Sequence, residues 1–202
     1  MTFPSLRKFP AAVFLDRDGV IVQEGDHLHR VEDLALIEGS LTAMRRLNEA
    51  GIPICIVTNQ AGIAKGLYTE EQYFAFSDEM IHRMRRQKVE VLDIRHCPHH
   101  PEGVVPRYTR DCDCRKPGTA LLDAALAEHG WGARDCVLIG DKNSDIEAGL
   151  RLGMRTYLVE TGHGRDHRAQ TRAQHVVSDL AAAVAHLLSS PWKTDNASLE
   201  MT

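Results

Sequence analysis

The sequence predicts one α/β domain in which a mainly parallel β-sheet carries helices on both faces. Short apolar runs alternate with amphipathic helical patterns along the chain, which is typical of repeated βα units. The run at residues 52–58 is almost continuously apolar, as expected for a strand covered on both faces. With 43% hydrophobic and 26% charged residues, the 202-residue chain can bury a full core, which excludes a largely disordered protein. We expect the domain to span residues 1–190, followed by a flexible polar tail at 191–202.

Apolar runs and helical patterns alternate in a fixed order. The predicted strands are residues 11–16, 52–58, 89–97, 135–140 and 154–159. Ser40 is expected to cap the first helix, which ends before Gly51. A capping box of Thr69 and Gln72 marks the start of the second helix. Three further helices are expected at about 119–129, 144–152 and 179–188.

Charge and hydropathy narrow the class of partner. The formal net charge is -4 and the sequence pI is about 6.2, so the chain has no overall basic field that would collect nucleic acid or anionic lipid. No run approaches the ~18 consecutive apolar residues of a membrane span. The first apolar run is short and lacks a signal-type cleavage region, so we expect a cytoplasmic protein.

Polar residues follow the predicted strands where ligands bind in open parallel sheets, beyond the carboxyl ends. Asp16 and Asp18 follow the first strand, Thr58 ends the second, and Asp141 follows the fourth. Lys116 comes just before the third helix. Carboxylates from separate strand ends, with a backbone carbonyl, make a hard oxygen site suited to Mg²⁺. The loops 19–38 and 97–117 are longer than a plain βα unit requires, so loops alone are expected to cover this site.

Each of these residues also has an ordinary structural explanation. Asp16 and Asp18 can be turn acids, and Thr58 can be a capping hydroxyl. Arg115 and Lys116 can be a solvated basic pair. Because all of these residues occur together, an active site is favoured over these separate structural explanations. The sequence leaves two roles open for Asp145: it could support the metal site, or it could complement the N-terminus of a helix.

A carboxylate beside Mg²⁺ and a lysine suggests attack on phosphorus through an aspartyl-phosphate. An anionic nucleophile that approaches a phosphate dianion to ~4 Å meets roughly 2 kcal/mol of repulsion even in water. Mg²⁺ and Lys116 would cancel this repulsion, and Thr58 would donate its hydroxyl to a phosphoryl oxygen. Asp18 would then protonate the leaving alkoxide and later deprotonate the hydrolytic water.

A second candidate site lies in one loop. Cys97-x-His99 and Cys112-x-Cys114 bring three sulfurs and one imidazole together, a set that is typical of a closed, structural, tetrahedral Zn²⁺ site. Free thiols and a disulfide are the alternatives, and a reducing compartment argues against the disulfide. Because Cys114 directly precedes Arg115 and Lys116, a metal here would also fix those two cations.

Four segments resemble, in the same order, the four motifs of the haloacid-dehalogenase (HAD) superfamily of phosphohydrolases. They are residues 14–21, 57–60, 116–117 and 140–145. Three more segments are similar to those of the zinc-containing D-glycero-D-manno-heptose 1,7-bisphosphate 7-phosphatases, within the histidinol-phosphatase-like subfamily. These are residues 58–66, 97–101 and 112–117.

The resemblance implies a HAD-like, Rossmann-like fold without a large cap domain, one Mg²⁺ and one structural Zn²⁺. It makes Asp16 the nucleophile, Asp18 the acid and base, and Thr58 and Lys116 the phosphoryl stabilisers. Mg²⁺ would be held by Asp16, Asp141 and the backbone carbonyl of Asp18. The residues that would face the sugar and its remaining phosphate are Glu24, Gly25, Asp26, His27, Asn59, Gln60, Ala61, Arg115 and Lys142. Residues 25–29 read Gly-Asp-His-Leu-His where the family commonly has His-Gly-Tyr-Val-His, which affects substrate recognition.

The implied activity is removal of the 7-phosphate of a heptose 1,7-bisphosphate, in a route to nucleotide-activated heptose for lipopolysaccharide. The expected partner is a small phosphorylated sugar, taken by a monomer without nucleic acid or membrane. A histidinol-phosphate phosphatase or another small phosphomonoester phosphatase is the alternative, and a non-catalytic zinc-braced interaction module is a third hypothesis.

Overall fold

The computed structural model describes residues 8–25 and 27–192 of the chain. In this part of the chain, six strands form one sheet in which every adjacent pair is parallel. The strands are β1 (Ala12–Leu15), β2 (Ile54–Asn59), β3 (Asp93–Cys97), β4 (Cys136–Gly140), β5 (Arg155–Val159) and β6 (His175–Val177). The predicted parallel α/β class is confirmed.

Helices connect the strands. They are α1 (Ser40–Glu49), α2 (Ala61–Ala64), α3 (Glu70–Arg86), α4 (Ala120–His129), α5 (Asn143–Leu152), α6 (Gly164–His167) and α7 (Leu180–Ser189). Short 3-10 turns lie at Val31–Asp33, Ala133–Asp135 and Arg168–Gln170. The capping box of Thr69 and Gln72 starts α3 as predicted.

The strand order β3-β2-β1-β4-β5-β6 places β1 at the point where the winding of the chain reverses. β1 pairs with β2 on one side and with β4 on the other. The loops that follow β1 and β4 leave the sheet in opposite directions, which opens a crevice at the carboxyl ends of these two strands. The residues that follow β1, β2 and β4 therefore meet at one edge of the sheet.

Helices pack on both faces of the sheet because successive strand residues point to opposite sides. Val13 and Leu15 lie in a core with residues of α1, α3 and α7. Ala12 and Phe14 lie in a second core with residues of α4 and α5. Each of these four β1 side chains is completely buried. β1 is thus enclosed on both faces, and its end is a rigid base for a site.

Two of the boundaries that the sequence predicts differ from those in the structure. Residues 89–92 precede β3, because Val89 buries its side chain while its N–H bonds to the Met84 carbonyl rather than to a strand. Ser40 is the first residue of α1 and not its cap. Gly39 takes that place with φ 80°, and the Ser40 hydroxyl donates to the Ile21 carbonyl instead.

β6 was not among the predicted strands. It has three residues, lies at the edge of the sheet and alternates between partly buried and exposed side chains, so it lacks an apolar run. At the end of the described chain, Trp192 is buried in the core beneath the guanidinium of Arg155. Residues 193–202, which fall in the predicted tail, lie outside the described residues. Across the described ranges, no helix is long and apolar enough to cross a membrane.

Candidate active site

A cleft of about 600 Å³ opens at the carboxyl edge of the sheet, beside the crevice between β1 and β4. The structure brings to it most of the residues that the sequence singles out. Those that line the cleft are Asp16, Asp18, Glu24, Gly25, His27, Thr58, Asn59, Gln60, Ala61, Arg115, Lys116, Lys142 and Asp145. Asp26 lies outside the described residues.

Asp16 ends β1 and is held by a buried lysine. The Lys116 Nζ lies 2.8 Å from Asp16 Oδ1 and 2.6 Å from Asp145 Oδ1, and it donates to the Val57 carbonyl at 2.6 Å. Burial alone would lower the pKa of Lys116, but the carboxylates of Asp145 and Asp16 outweigh burial and hold that pKa above its ordinary value. Lys116 is therefore a permanent cation at the base of the cleft.

The two carboxylate oxygens of Asp145 have different partners. One is paired with Lys116, and the other accepts a hydrogen bond of 3.0 Å from the Lys142 backbone N–H. The second contact caps the first turn of α5. Asp145 thus serves both the helix and the charged centre.

Asp141 follows β4 and is completely buried. Its Oδ2 accepts from the His163 backbone N–H at 2.8 Å, whereas its Oδ1 has no hydrogen-bond partner among the described residues. Burial, together with the nearby carboxylates of Asp16 and Asp145, raises the pKa of Asp141 to about 8. The protein alone leaves this carboxylate short of positive charge.

Two glycines allow other chain segments to approach Asp141 closely. A Cβ on Gly19 would lie 2.2 Å from Asp141 Oδ2, and a Cβ on Gly162 would lie 2.3 Å from the same oxygen. Both glycines also have positive φ, which L side chains rarely adopt. Any larger residue at either position would push the carboxylate out of the cluster.

This cluster fits a divalent cation. One oxygen from each of Asp16, Asp141 and Asp145 lies within 4.8 Å of the others, and carboxylate oxygens are the ligands that Mg²⁺ prefers. Asp141 has one oxygen without a hydrogen-bond partner among the described residues, and its pKa is raised. Both features are expected of carboxylates that lie close together without the cation that would balance their charge.

Thr58, Asp18 and Gln60 form a hydrogen-bonded group beside the cluster. The Gln60 Nε2 donates to Thr58 Oγ1 at 2.8 Å and to Asp18 Oδ2 at 3.0 Å. Arg17 grips the same carboxylate with two bonds, Nε to Oδ1 at 3.0 Å and Nη2 to Oδ2 at 2.9 Å. Tyr68 and Arg17 both donate to Gln60 Oε1, at 2.6 and 3.1 Å. The polar groups of Gln60 are therefore engaged within the protein.

The Asn59 side chain joins the end of β2 to the segment that carries the cations. Its Nδ2 donates to the Lys116 carbonyl and its Oδ1 accepts from the Lys116 N–H, both at 3.0 Å. The side chain of Asn59 thus mimics one more pair of strand hydrogen bonds. It positions Lys116, although the resemblance implies that Asn59 faces the substrate.

Charged side chains surround the outer part of the cleft. Glu24 lies 3.5 Å from the Lys142 Nζ and 3.1 Å from the His163 Nε2. Burial would lower the pKa of Lys142, but Asp141 and Glu24 outweigh it, so that pKa is raised and the amine stays charged. Arg115 and Lys65 also line the cleft. This outer part can bind a second anionic group of a ligand.

The loop between β3 and α4 gathers the four predicted sulfur and nitrogen ligands. Sγ atoms of Cys97, Cys112 and Cys114 lie 2.9–3.4 Å apart, and His99 Nδ1 lies 3.2 Å from the Cys114 Sγ. Cys97, Cys112 and Cys114 form no disulfide, so the predicted alternative of a disulfide is not what the structure has. One ligand atom from each of the four residues lies within 4.8 Å of the others. The set fits a single tetrahedral metal ion.

The loop is fastened to the rest of the molecule at two places. Tyr108 and Arg107 both reach the carboxylate of Glu70 at the start of α3, at 2.6 and 3.1 Å. The backbone N–H groups of Val104 and Val105 bond to the Ala64 carbonyl. Only a small apolar cluster lies beneath the loop, which leaves much of its shape to the four ligands.

Six residues that line the cleft were not predicted: Arg17, Leu28, Lys65, Tyr68, Ser144 and His163. Arg17 lies between the two acids of the first motif, where its burial could not be read from the sequence. Tyr68 and Lys65 follow α2, whose length only the structure shows. His163 sits in the turn after β5, and the glycines on both sides of it were the one available signal.

The chain is similar to one protein-family model and to several named proteins. The HAD-hydrolase-like family model matches residues 113–183. A protein of Photorhabdus laumondii named D-glycero-alpha-D-manno-heptose-1,7-bisphosphate 7-phosphatase is 44% identical over 151 residues, which is 74% of this chain and 82% of the relative. A protein of Yersinia pestis named for the corresponding beta-heptose bisphosphate is 35% identical over 171 residues, covering 84% of this chain and 91% of the relative.

A solved structure is similar over almost its whole length. It is a D,D-heptose 1,7-bisphosphate phosphatase from B. bronchiseptica, complexed with magnesium and phosphate. Its TM-score is 0.80 at 31% sequence identity, and the match covers 88% of this chain and 98% of that one.

Proposed function

The chain belongs to the heptose 1,7-bisphosphate 7-phosphatases of the HAD-like hydrolases, and on that premise we propose that its cleft removes the 7-phosphate of D-glycero-D-manno-heptose 1,7-bisphosphate. The observation that carries this proposal is the meeting of Asp16, Lys116 and Asp141 at the switch point of the sheet, with further cations around the outer cleft. The enzyme is a phosphoric monoester hydrolase. The relatives described above support a heptose substrate over histidinol phosphate.

We assign the nucleophile to Asp16, whose carboxylate attacks the phosphorus of the 7-phosphate. The P–O bond to the sugar breaks as the aspartyl-phosphate forms. Lys116 touches Asp16 Oδ1 at 2.8 Å and supplies positive charge as the two anions approach. The Thr58 hydroxyl donates to a phosphoryl oxygen, where charge spreads in the transition state.

Asp18 is the acid and base of the proposal. It protonates the oxygen that leaves with the sugar, then takes a proton from water as the water attacks the aspartyl-phosphate. This second step releases inorganic phosphate and restores the carboxylate of Asp16. Arg17 fixes the carboxylate plane of Asp18 through two hydrogen bonds.

The carboxylates of Asp16 and Asp141 and the backbone carbonyl of Asp18 would hold Mg²⁺. When bound, the ion would supply positive charge to the phosphoryl oxygens as the nucleophile approaches. For the loop cluster of Cys97, His99, Cys112 and Cys114, the proposed ion is a structural Zn²⁺, supported by the three-sulfur, one-nitrogen donor set.

The second phosphate of the substrate needs its own cations. We assign this role to Arg115 and Lys142, with Glu24, Gly25, His27 and Ala61 around the sugar. The Arg115 Nη1 is a buried donor with no hydrogen-bond partner among the described residues. A buried donor of this kind is expected where an anionic ligand binds. The resemblance implies that Asp26 also faces the sugar, but Asp26 lies outside the residues that the structure describes.

For the anomer we propose the alpha form. In Photorhabdus laumondii, the relative named for the alpha anomer is 44% identical to this chain, and the one named for the beta anomer is 36% identical. We further propose that the chain acts as a monomer on a small molecule, without nucleic acid or membrane. The three loop thiols must stay reduced to hold a metal, which supports the predicted cytoplasmic location.

The test is release of phosphate from both heptose 1,7-bisphosphate anomers and from histidinol phosphate, with Mg²⁺ present. We expect the highest kcat/KM with the alpha anomer, and ³¹P NMR should show heptose 1-phosphate as the product. A higher kcat/KM with histidinol phosphate contradicts the proposed substrate. Failure to hydrolyse any monoester would favour the non-catalytic zinc-braced module instead.

A further inference from the structure

The Gln60 side chain has no task in the mechanism above, although it touches two groups that do. It is 2% exposed, so it lies behind the catalytic side chains and has almost no contact with solvent. Building on the proposed function, we infer that Gln60 is a positioning residue: it aims the Asp18 carboxylate for proton transfer and turns the Thr58 hydroxyl toward the phosphate.

The amide of Gln60 uses its full hydrogen-bonding capacity. A side-chain amide has two N–H donors and two acceptor lone pairs. Its donors go to Thr58 Oγ1 and Asp18 Oδ2, and its oxygen accepts from Tyr68 and Arg17. A flipped amide would set its oxygen against the Asp18 carboxylate and its N–H groups against two donors, so only one orientation is stable.

This fixed orientation settles the direction of the Thr58 hydroxyl. Thr58 Oγ1 receives the Gln60 N–H at 2.8 Å and therefore acts as an acceptor on that side. Its own O–H is left to donate elsewhere, and Thr58 lines the cleft. Gln60 thus keeps the proton of Thr58 available for a phosphoryl oxygen.

The same amide determines which oxygen of Asp18 carries the proton. Oδ2 accepts from both Arg17 Nη2 and Gln60 Nε2, which occupies its two lone pairs. Oδ1 accepts only from Arg17 Nε among the described residues. Oδ1 is therefore the atom at which the proton is held and transferred, and the Asp18 side chain is 20% exposed, enough to reach a ligand.

Packing holds the partners of Gln60 in place. The Arg17 guanidinium lies over the Phe76 ring at 4.8 Å and the Tyr73 ring at 5.6 Å. The Tyr68 ring stacks on His29 with centroids 5.0 Å apart. A Cβ on Gly62 would lie 2.1 Å from the Tyr68 ring, so a glycine is needed there. Tyr68 is therefore held in the position from which its hydroxyl donates to the Gln60 amide oxygen.

The experiment compares two monoesters, methyl phosphate with a poor leaving group and p-nitrophenyl phosphate with a good one. Tyr68→Phe removes one donor to Gln60 and leaves the ring. We expect kcat to fall about 10-fold on methyl phosphate and about 2-fold on p-nitrophenyl phosphate, with KM unchanged, because proton transfer matters most for the poor leaving group. Gln60→Glu, which removes both N–H donors, should lower kcat on methyl phosphate about 100-fold.

Tyr157→Phe is the matched control. It removes a buried hydroxyl that is bonded to His186 at 2.9 Å, in β5 and away from the Gln60 group. It should change melting temperature as much as Tyr68→Phe does, without any leaving-group dependence. In an Asp18→Asn background, Tyr68→Phe should no longer change the ratio between the two monoesters, because the oriented acid is gone.

Equal losses on the two monoesters in the Tyr68→Phe enzyme, or a change in KM alone, overturn the inference. Tyr68→Phe tests the inference even where Gln60→Glu fails to fold. The readout also separates the inference from the proposed function. A wild-type enzyme that hydrolyses both monoesters but not the heptose bisphosphate refutes the substrate, while the leaving-group ratios still decide the role of Gln60.

Discussion

The acidic cluster at the end of β1 and the cysteine loop after β3 hold their side chains by different means. Asp16, Asp141 and Asp145 are buried at strand and helix ends, where the sheet and its hydrogen bonds fix them. The loop ligands Cys112 and Cys114 are only half-buried, with a small apolar cluster beneath them. The side chains of the first site are held in place without an ion, whereas the ion proposed for the second would determine much of the shape of the loop.

The two regions meet at Lys116. This residue follows Cys114 by two positions, yet its amine lies among the carboxylates of the acidic cluster. The Asn59 side chain ties the Lys116 backbone to β2. The comparison therefore predicts that damage to the cluster removes chemistry without unfolding the protein, and that damage to the loop affects stability and chemistry together.

The largest effect is expected from Asp16→Asn. The amide is nearly the same size but a poor nucleophile, so kcat should fall on the order of 10⁴-fold or more. The melting temperature should stay the same or rise, because one of the crowded carboxylates is gone. Steady-state kinetics and thermal unfolding measure both. Substantial residual turnover in this variant would place the nucleophile elsewhere.

The next effect is expected from Asp18→Asn, which keeps the hydrogen-bonding shape but cannot donate an acidic proton. It should slow hydrolysis of methyl phosphate about 100-fold and that of p-nitrophenyl phosphate less than about 10-fold. The two monoesters are compared at saturating substrate and Mg²⁺. Losses of equal size on both would argue against the acid role.

Cys112→Ser tests the other half of the comparison. Loss of one metal ligand should lower the melting temperature by about 5–10 °C and reduce kcat at the same time. Cys55→Ala is the control, since Cys55 is buried in β2 away from the loop. It should keep both its zinc content by elemental analysis and its kcat. An unchanged melting temperature in Cys112→Ser would show that the loop needs no metal.

A smaller effect is expected from Gly162→Ala. The new Cβ would collide with Asp141 Oδ2, so the Mg²⁺ concentration for half-maximal activity should rise about 10-fold. Gly51→Ala is matched to it in backbone strain, with φ +71° against +56°, but no atom lies within 4 Å of its Cβ. If both variants require the same Mg²⁺ as the wild type, the close packing around Asp141 has no role in metal binding.

The same contrast explains what could be predicted from the sequence. Strand ends in a parallel sheet meet at one edge, so the positions of Asp16, Thr58 and Asp141 follow from where the apolar runs stop. The gathering of Cys97, His99, Cys112 and Cys114 in one place was predictable from their residue types and spacing alone. In both cases a simple rule connects the sequence to a place in the fold.

What could not be predicted depends on which way side chains turn. Gln60 and Asn59 stand in a motif that implies contact with substrate, yet their polar groups bond to other residues of the protein. Arg17 is fully buried although it is an arginine between two acids. The apolar residue Val89 indicates burial but lies outside any strand. Such details are decided by packing between distant segments, which a linear pattern does not contain.

The central claim is that Asp16 carries the phosphoryl group during turnover. Mass spectrometry of the enzyme, quenched in acid during hydrolysis and digested to peptides, tests this directly. We expect one phosphoryl group on the peptide that contains Asp16, with fragmentation placing it on that carboxylate, and none in the Asp16→Asn enzyme. A phosphoryl group on another residue, or its absence at every quench time while phosphate is being released, would contradict the account.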